Sequence, residues 1–139
     1  MTIIHDTLTI DTRGDNDIID ITRRLGMLLS KHKLNSGSLL VFIPGSTAGL
    51  TTIEYEQGLK LDFAALMERV APKGARYFHD ETWNDGNGHS HVRASLLGPS
   101  ITIPFQNGEM MLGTWQQVVL VDFDTRPRSR ILVIQITGE

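Results

Sequence analysis

The sequence predicts an α+β fold of about seven or eight mostly antiparallel strands with two or three helices. Two observations support this class. Strand-like segments follow one another near the end of the chain without a helical segment between them, unlike alternating parallel α/β units. The length of 139 residues corresponds to one ordinary domain, so we expect a single domain over residues 1–139.

The first half of the chain mixes strands and helices. Residues 2–11 alternate polar and apolar side chains, and residues 50–56 do the same, which predicts two strands. The continuously apolar run 37–45 is typical of a buried strand. Apolar residues recur at helical spacing in 17–33 and again in 59–70, so we expect one helix in each segment.

The second half is rich in strands. After a polar segment at 79–98, the runs 100–105, 108–115, 116–124 and 130–138 each predict a strand, and turn-forming residues separate most of them. Because these strands are consecutive, they are the main reason for the α+β prediction.

Composition excludes several functions. A net charge of −3, without a basic cluster, gives no basis for binding nucleic acid. The absence of cysteine excludes disulfides and thiolate ligands, so a metal must be held by His, Asp or Glu. The N-terminus lacks the features of a signal peptide, and no apolar run reaches the roughly 18 residues of a membrane span. We therefore expect a cytoplasmic protein that does not bind membranes.

Three of the five histidines lie in the polar segment 79–98. In an extended backbone His89 and His91 would share one face and reach one ion, and His79 would supply a third nitrogen. In a helix His89 and His91 would diverge. The segment therefore predicts a metal site, and the alternative is a polar loop whose histidines form local hydrogen bonds.

Three carboxylates are candidate catalytic groups. Asp80 and Asp85 lie beside the histidines, where they could orient the imidazoles or act as a general base. Glu54 lies at the end of a predicted half-buried strand, where a carboxylate needs a partner. The alternative for all three is an ordinary surface carboxylate.

The turn at 45–49 is a candidate anion site. It lacks the Gly-Lys-Ser/Thr ending of a phosphate loop and the central serine of a nucleophile elbow, so a purely structural turn is the alternative. Its exposed amides, with Ser46 and Thr47, could still hold an anion.

Alternating arginines form a second candidate anion site. Arg126, Arg128 and Arg130 alternate along the chain, so in a strand they would share one face and could clamp a phosphate or carboxylate. The alternative is pairing with acids at a subunit interface.

Four segments together resemble the YjbQ family, whose members are called secondary thiamine-phosphate synthase enzymes. These segments are STAGLTTIEYE, YFHDETWNDGNGHSHVRASLLGPS, PFQNGEMMLGTWQQVVLVDFD and RSRILVIQITGE. The resemblance covers essentially the whole chain. It implies an α+β fold built on a β-sandwich, a homotrimer, and a polar, metal-binding pocket where subunits meet.

The resemblance also implies a chemistry. The family's name comes from a weak ability to join a pyrimidine diphosphate to a thiazole phosphate with release of pyrophosphate. The residues of this chain that fall in the family's motifs are Glu54, His79, Asp80, His91, Trp115, Gln116 and Arg130. One position departs from the family, because many members have a histidine where this chain has Gly45. His89 is then a candidate replacement ligand.

We therefore expect a metal-dependent enzyme that acts on a small phosphorylated metabolite, with zinc as the first candidate because imidazole nitrogen suits it. In this hypothesis His79, His89 and His91 hold the metal. The alternatives are a trimeric protein that binds a small anion without catalysis, and a trimer in which the histidines only stabilise an interface.

Overall fold

Eight strands and four helices form the chain in the computed structural model, which describes residues 1–139. In chain order they are β1 (Thr2–Thr12), β2 (Asp17–Asp20), α1 (Thr22–His32), β3 (Ser36–Phe42), β4 (Ala48–Ile53), α2 (Gln57–Val70), α3 (Phe78–Trp83), α4 (Gly88–Leu97), β5 (Ser100–Gln106), β6 (Glu109–Met110), β7 (Gln117–Asp122) and β8 (Arg128–Gly138).

The strands form two antiparallel sheets. The five-stranded sheet has the order β1-β8-β3-β5-β6, and the three-stranded sheet has the order β2-β7-β4. All the pairings are antiparallel. The α+β prediction is therefore confirmed, with eight strands as expected and one helix more than the upper expected number.

Strand β7 lies at the centre of the packing. Val118 and Leu120 belong to the larger core, which the five-stranded sheet and α1 also form. Val119, Val121 and Phe123 point to the opposite side, where they pack with residues of α2 and α4. This alternation explains why β7 is an almost continuously apolar run, because both of its faces are covered.

None of the four helices has the length and apolar character of a membrane-spanning segment.

The first helix is shorter than the sequence predicts. A helix was expected over 17–33, but 17–20 form β2 and α1 begins at Thr22. Ile18 and Ile19 pair with β7 and pack into the two different cores, as alternating strand residues do. β-Branched residues pack well in a strand, and here the tertiary contacts override the helical spacing.

Two further segments differ from expectation. The run 108–115 forms only the two-residue strand β6 and then leaves the sheet. The segment 79–98 contains α3 and α4 instead of a loop or an extended strand. Between these helices Asn84 and Gly86 adopt positive φ angles of 52° and 63°, which permits the tight reversal.

The outer face of the five-stranded sheet is nearly free of charge. Its outward positions alternate with the buried ones, and Ile131 and Val133 of β8 are exposed at its centre. The central outward side chains are Thr7, Thr9, Ser38, Leu40, Phe42, Ser100, Thr102, Ile131, Val133 and Gln135. This face is a candidate surface for the homotrimer, which stays a prediction.

Candidate functional site

His79, Asp85 and His91 lie together where α3 and α4 meet. One ligand atom from each residue lies within 4.8 Å of the other two. The imidazole centroids are 4.3 Å apart, and Nε2 of His79 is 3.3 Å from Oδ2 of Asp85. The structure thus brings two of the three predicted histidine ligands and one predicted carboxylate to one point.

Local contacts fix the geometry of this cluster. Oδ1 of Asp80 accepts a hydrogen bond of 2.9 Å from the N–H of Gly88, which ties α3 to the first turn of α4. A Cβ atom on Gly88 would lie 2.5 Å from Cβ of Tyr77, so only glycine allows the helices to approach this closely. Asp80 therefore positions the second helix and is not one of the three clustered ligands.

The prediction that His89 is a metal ligand is wrong in this structure. Residues two apart on a helix point about 200° apart, so His89 and His91 diverge on α4. His89 is 1% exposed, packs 6.4 Å from the Tyr77 ring, and leaves Nδ1 without a partner. Burial, followed by the nearby charges of Arg93 and Lys73, lowers the pKa of His89. The related hypothesis that His89 replaces a histidine at Gly45 is lost with it.

The donor set fits a divalent metal. Two imidazole nitrogens and one carboxylate are a common set of protein ligands for catalytic zinc, and a fourth position stays open for water or substrate. Desolvation opposes ionisation of Asp85, but hydrogen bonds from the N–H of Asn87 and from His79 outweigh it and lower the pKa of this carboxyl. Asp85 is therefore ionised and ready to bind a cation at neutral pH.

Glu54 is not part of this cluster. The expected half-buried position is wrong, because Glu54 is exposed just beyond the end of β4. At about 3.4 Å per residue, β4 separates it from Thr47 by roughly 20 Å. Glu54 instead lines a shallow groove with Trp115, whose side chain is 72% exposed, and with Gln116. The side-chain amide of Gln116 donates to Thr52 and holds this turn against β4.

The turn before β4 has free hydrogen-bond donors. The backbone N–H groups of Gly45, Ser46 and Thr47 donate to no other group of the chain. Ser46 is exposed, whereas Thr47 is buried and donates its hydroxyl to Oδ2 of Asp124 at 3.0 Å. A cleft of about 230 Å³ separates this turn from Ser95 of α4. Free amides beside a cleft can bind an anion.

The predicted arginine clamp is largely occupied by partners within the chain. Nε and Nη2 of Arg130 donate to the two oxygens of Asp122 at 2.8 and 2.9 Å, and Nη2 also donates to Thr47 at 2.7 Å. Asp122 accordingly raises the pKa of Arg130. Arg128 donates to Asp124, and Arg126 is exposed.

One nitrogen of Arg130 keeps its donor capacity. Nη1 makes no hydrogen bond within the chain and would lie 3.4 Å from a Cβ atom placed on Gly45. The cationic group therefore reaches the turn at 45–47, although most of its donors hold acids of the same chain.

Sequence reasoning missed four polar residues that surround the site. Arg93 is buried and donates to the C=O of Ala71, so it anchors α4 to the end of α2. Asp122 and Asp124 are fully buried between Thr47 and the arginines. The sequence did contain a signal for these two acids. They stand two residues apart at the end of the apolar run 116–124, and a carboxylate buried in such a run needs a partner.

The fourth missed residue is Asn87. Its N–H donates to Oδ1 of Asp85 at 3.2 Å. After the larger contributions of Arg128 and Thr47, its side chain adds to the lowering of the pKa of Asp124. Oδ1 of Asn87 is buried without a partner. An unsatisfied buried acceptor costs about 1–3 kcal/mol and calls for an explanation.

Known proteins are similar to this chain in sequence. A family profile described as UPF0047 protein YjbQ-like matches residues 6–139. A UPF0047 protein of Archaeoglobus fulgidus is 36% identical over 128 residues, which cover 92% of this chain and 97% of the relative. The UPF0047 protein YugU of Bacillus subtilis is 33% identical, with 95% of this chain and 98% of the relative covered.

Solved structures agree with this match. A YbjQ-like protein from Sulfolobus solfataricus, described as of unknown function, superposes with a TM-score of 0.92 at 28% identity and covers 99% of both chains. A YjbQ/UPF0047 protein from Clostridium acetobutylicum gives a TM-score of 0.86 at 34% identity, with 95% of this chain and 99% of that chain covered. This chain therefore belongs to the YjbQ-like UPF0047 family.

Proposed function

We propose that this protein is a metal-dependent enzyme that acts on a small phosphorylated metabolite. The observation that carries the proposal is the convergence of His79, Asp85 and His91, whose ligand atoms lie within 4.8 Å of one another. Zinc is the first candidate, because imidazole with one carboxylate is a typical donor set for it. A metal there would supply Lewis-acid stabilisation of the negative charge on a phosphoryl or diphosphate leaving group.

A place for the phosphate supports the same proposal. The free amides of the 45–47 turn, the hydroxyl of Ser46 and Nη1 of Arg130 are donors suited to phosphate oxygens. Ser95, which lines the same cleft, lies one helical turn after His91 on α4, and its hydroxyl donates to the C=O of His91 at 2.8 Å. Positions four apart share one face of a helix, so a single small ligand could extend from the turn toward the histidines.

The reaction class follows from the family resemblance. Displacement of pyrophosphate from a pyrimidine diphosphate, as in thiamine-phosphate synthesis, needs groups that neutralise a departing diphosphate. The ligand-bearing α3–α4 segment and the donors at 45–47 are suited to that task. Gly45 stands where many members have histidine, so we expect any thiamine-phosphate synthase activity to be weak.

A second candidate is a protein that binds a small anion without turning it over. The free amides at 45–47 favour it, because they bind an anion without needing a metal. The two functions differ in the effect of a chelator. Chelation should abolish turnover by the enzyme, whereas a binding protein should hold methyl phosphate equally well with and without metal.

The assembly that we propose is a homotrimer. The nearly uncharged outer face of the five-stranded sheet, with Ile131 and Val133 at its centre, would be covered by neighbouring copies. Extensive uncharged, partly apolar faces mark protein interfaces more often than free surfaces. We expect the trimer to act in the cytoplasm without membrane or nucleic acid partners.

Metal content tests the proposed function. Untagged protein, purified without chelator and measured by elemental mass spectrometry, should carry about one equivalent of zinc or another divalent ion per chain. His79→Ala and His91→Ala should lose it while keeping the fold by circular dichroism. His32→Ala is the matched control, because His32 also lies 2.8 Å from a carboxylate, that of Asp6, but has no third ligand. Wild-type protein that stays metal-free after zinc is added would refute the metal-dependent enzyme.

A further inference from the structure

We infer that the free edge of β1 binds an extended, acidic segment of a partner protein as an additional strand of the five-stranded sheet. This edge shares no residue with the proposed metal and anion sites, so its role is independent of the proposed function. β1 is the first strand in the order β1-β8-β3-β5-β6, and only β8 pairs with it. From Thr2 to Thr12 the register with β8 is regular, without a bulge.

The register shows which backbone groups of β1 are free. Ser36 of β3 and Glu139, directly after β8, exchange both of their backbone hydrogen bonds at 3.0 Å. Because this direction alternates along a strand, odd-numbered residues of β8 bond to β3 and even-numbered ones bond to β1. Odd-numbered residues of β1 therefore direct their backbone groups away from the sheet. The N–H of Thr7 agrees, since it donates to Oδ1 of Asp6 at 2.8 Å. The amides left without a partner in the chain are those of Ile3, His5, Thr9 and Asp11.

The other sheet edges are protected, whereas that of β1 is not. At the opposite edge of the five-stranded sheet β6 has only two residues, and Pro104 of β5 offers no N–H. β2 has only four residues, and the segment after α4 lies along β4, where the N–H of Leu50 donates to the C=O of Gly98 at 3.0 Å. β1 has 11 residues and contains neither proline nor lysine. Long free edges pair readily with other chains and are normally blocked, so this one indicates a binding site.

The charge of Asp6 does not protect this edge. An inward-pointing charge can prevent pairing of an edge strand, and Asp6 is the one charged residue on the inner face of β1. Its carboxylate already lies 2.8 Å from Nε2 of His32 and 3.1 Å from Nζ of Lys31. Because α1 supplies these partners, an added strand would not have to neutralise Asp6.

The groove beside the edge indicates which side chains the partner carries. A cavity of about 400 Å³ lies between residues 6–8 of β1 and helix α1. Leu8 and Leu28 line it, and so does Met27, which is 64% exposed. Arg24 lines it as well and forms no hydrogen bond or ion pair within the chain. Side chains of an added strand that point toward α1 would meet apolar groups and a free cation. Apolar residues alternating around an acidic one therefore fit this groove.

A model peptide tests this binding. The probe is fluorescein-labelled Thr-Val-Thr-Glu-Thr-Val-Thr amide, in which both valines and the glutamate would face α1, and binding is followed by fluorescence anisotropy. The same peptide with lysine in place of glutamate should bind about fivefold more weakly or worse. N-methylation of its third and fifth residues removes two backbone donors without changing side chains or charge, and should abolish binding because main-chain hydrogen bonds supply the affinity.

Charge reversal on α1 tests the role of Arg24. Arg24→Glu should weaken binding of the glutamate peptide about fivefold or more and should prefer the lysine peptide. Arg23→Glu is the matched control, because Arg23 is exposed on the same helix but lines the groove on its other side, next to β6. This control should bind the glutamate peptide like the wild type. Equal losses in both variants would mean that the peptide responds only to overall charge, which would overturn the groove.

Hydrogen exchange, followed by NMR, shows whether the peptide extends the sheet. Without peptide, the amides of His5 and Thr9 should exchange rapidly, and those of Leu8 and Ile10 slowly. The glutamate peptide should slow exchange at His5 and Thr9 about tenfold or more. Failure of this peptide to bind at millimolar concentration, or binding without that slowing, would overturn the inference. Slow exchange at His5 and Thr9 without peptide would overturn it too, because a second copy of the chain would then cover the edge.

Discussion

Arg130 of β8 and Asp122 of β7 join the two sheets through paired hydrogen bonds of 2.8 and 2.9 Å, in which Nε and Nη2 each donate to a different carboxylate oxygen. Asp122 has no exposed surface. Such a paired contact is strong and directional, so it fixes the position of the Arg130 guanidinium. Because the same guanidinium donates to Thr47, it also holds the turn at 45–47 in place. A structural role and a role at the site therefore meet in one arginine.

Removing Arg130 should be strongly destabilising. Arg130→Met leaves the Asp122 carboxylate buried without its partner, which typically costs 3–5 kcal/mol in the free energy of unfolding, measured by urea denaturation. Arg126→Met is the matched control, because Arg126 is exposed, and should change the value by less than about 0.5 kcal/mol. Equal effects of the two substitutions would contradict the ion pair.

Asp80 should act through the position of α4. Asp80→Ala removes the acceptor for the Gly88 N–H at the start of the helix that carries His91, so we expect zinc affinity to fall about 10-fold, the low end of the loss when a supporting contact of a metal site is removed. Asp80→Asn keeps an acceptor oxygen and should stay close to the wild type in zinc affinity. If Asp80→Asn binds zinc normally but loses all turnover, Asp80 is a general base instead.

The elements of the fold could largely be predicted because they depend on local periodicity. The late strands and α2 follow patterns that a single segment contains. β2 could not be predicted, because Ile18 and Ile19 match a helix locally and are strand residues only by pairing with β7. The same limit applies to 108–115, where nothing local reveals that the sheet ends after β6.

The contribution of Asp124 to stability should depend on pH. Burial opposes its ionisation, but hydrogen bonds from Arg128 and Thr47 outweigh burial and lower the pKa of its carboxyl. A carboxyl with a lower pKa in the folded than in the unfolded state stabilises the fold at pH values above the unfolded pKa of about 3.9. That stability is lost as the pH falls through the folded value.

The comparison that tests this pH dependence is wild type against Asp124→Asn. Urea unfolding between pH 3 and 6 should give a difference in stability that is constant above about pH 5 and narrows below about pH 4. A difference that does not change with pH would show that the Asp124 charge contributes nothing to stability.

A charge on the outer sheet face should dissociate the trimer. Val133→Lys would place an unpaired ammonium in the proposed interface, so light scattering should report monomers. The stability of the monomer should change little, because Val133 is exposed in a single chain. Leu61→Lys, at another exposed apolar position, on α2, should leave the assembly unchanged. Wild-type monomers, or trimers of Val133→Lys, would contradict this interface.

The candidate site was predictable in part. The sequence pointed to His79, Asp85 and His91 because they lie in one short segment. The lack of cysteine left only His, Asp and Glu as side-chain ligands for a metal. His89 could not be excluded, since its direction depends on whether 88–97 is extended or helical, and the helix is set by Asp80 and the close approach of Gly88 to Tyr77. Asp124 matters through contacts distant in sequence, which no local pattern reveals.

The central claim is a divalent cation held by His79, Asp85 and His91. Its most direct test is a crystal structure of zinc-loaded protein with anomalous diffraction recorded at the zinc edge. We predict one strong peak per chain about 2.0–2.2 Å from a nitrogen of each of His79 and His91 and from a carboxylate oxygen of Asp85, with His89 remote from it. A peak beside His89, or no peak between His79 and His91, would contradict the account.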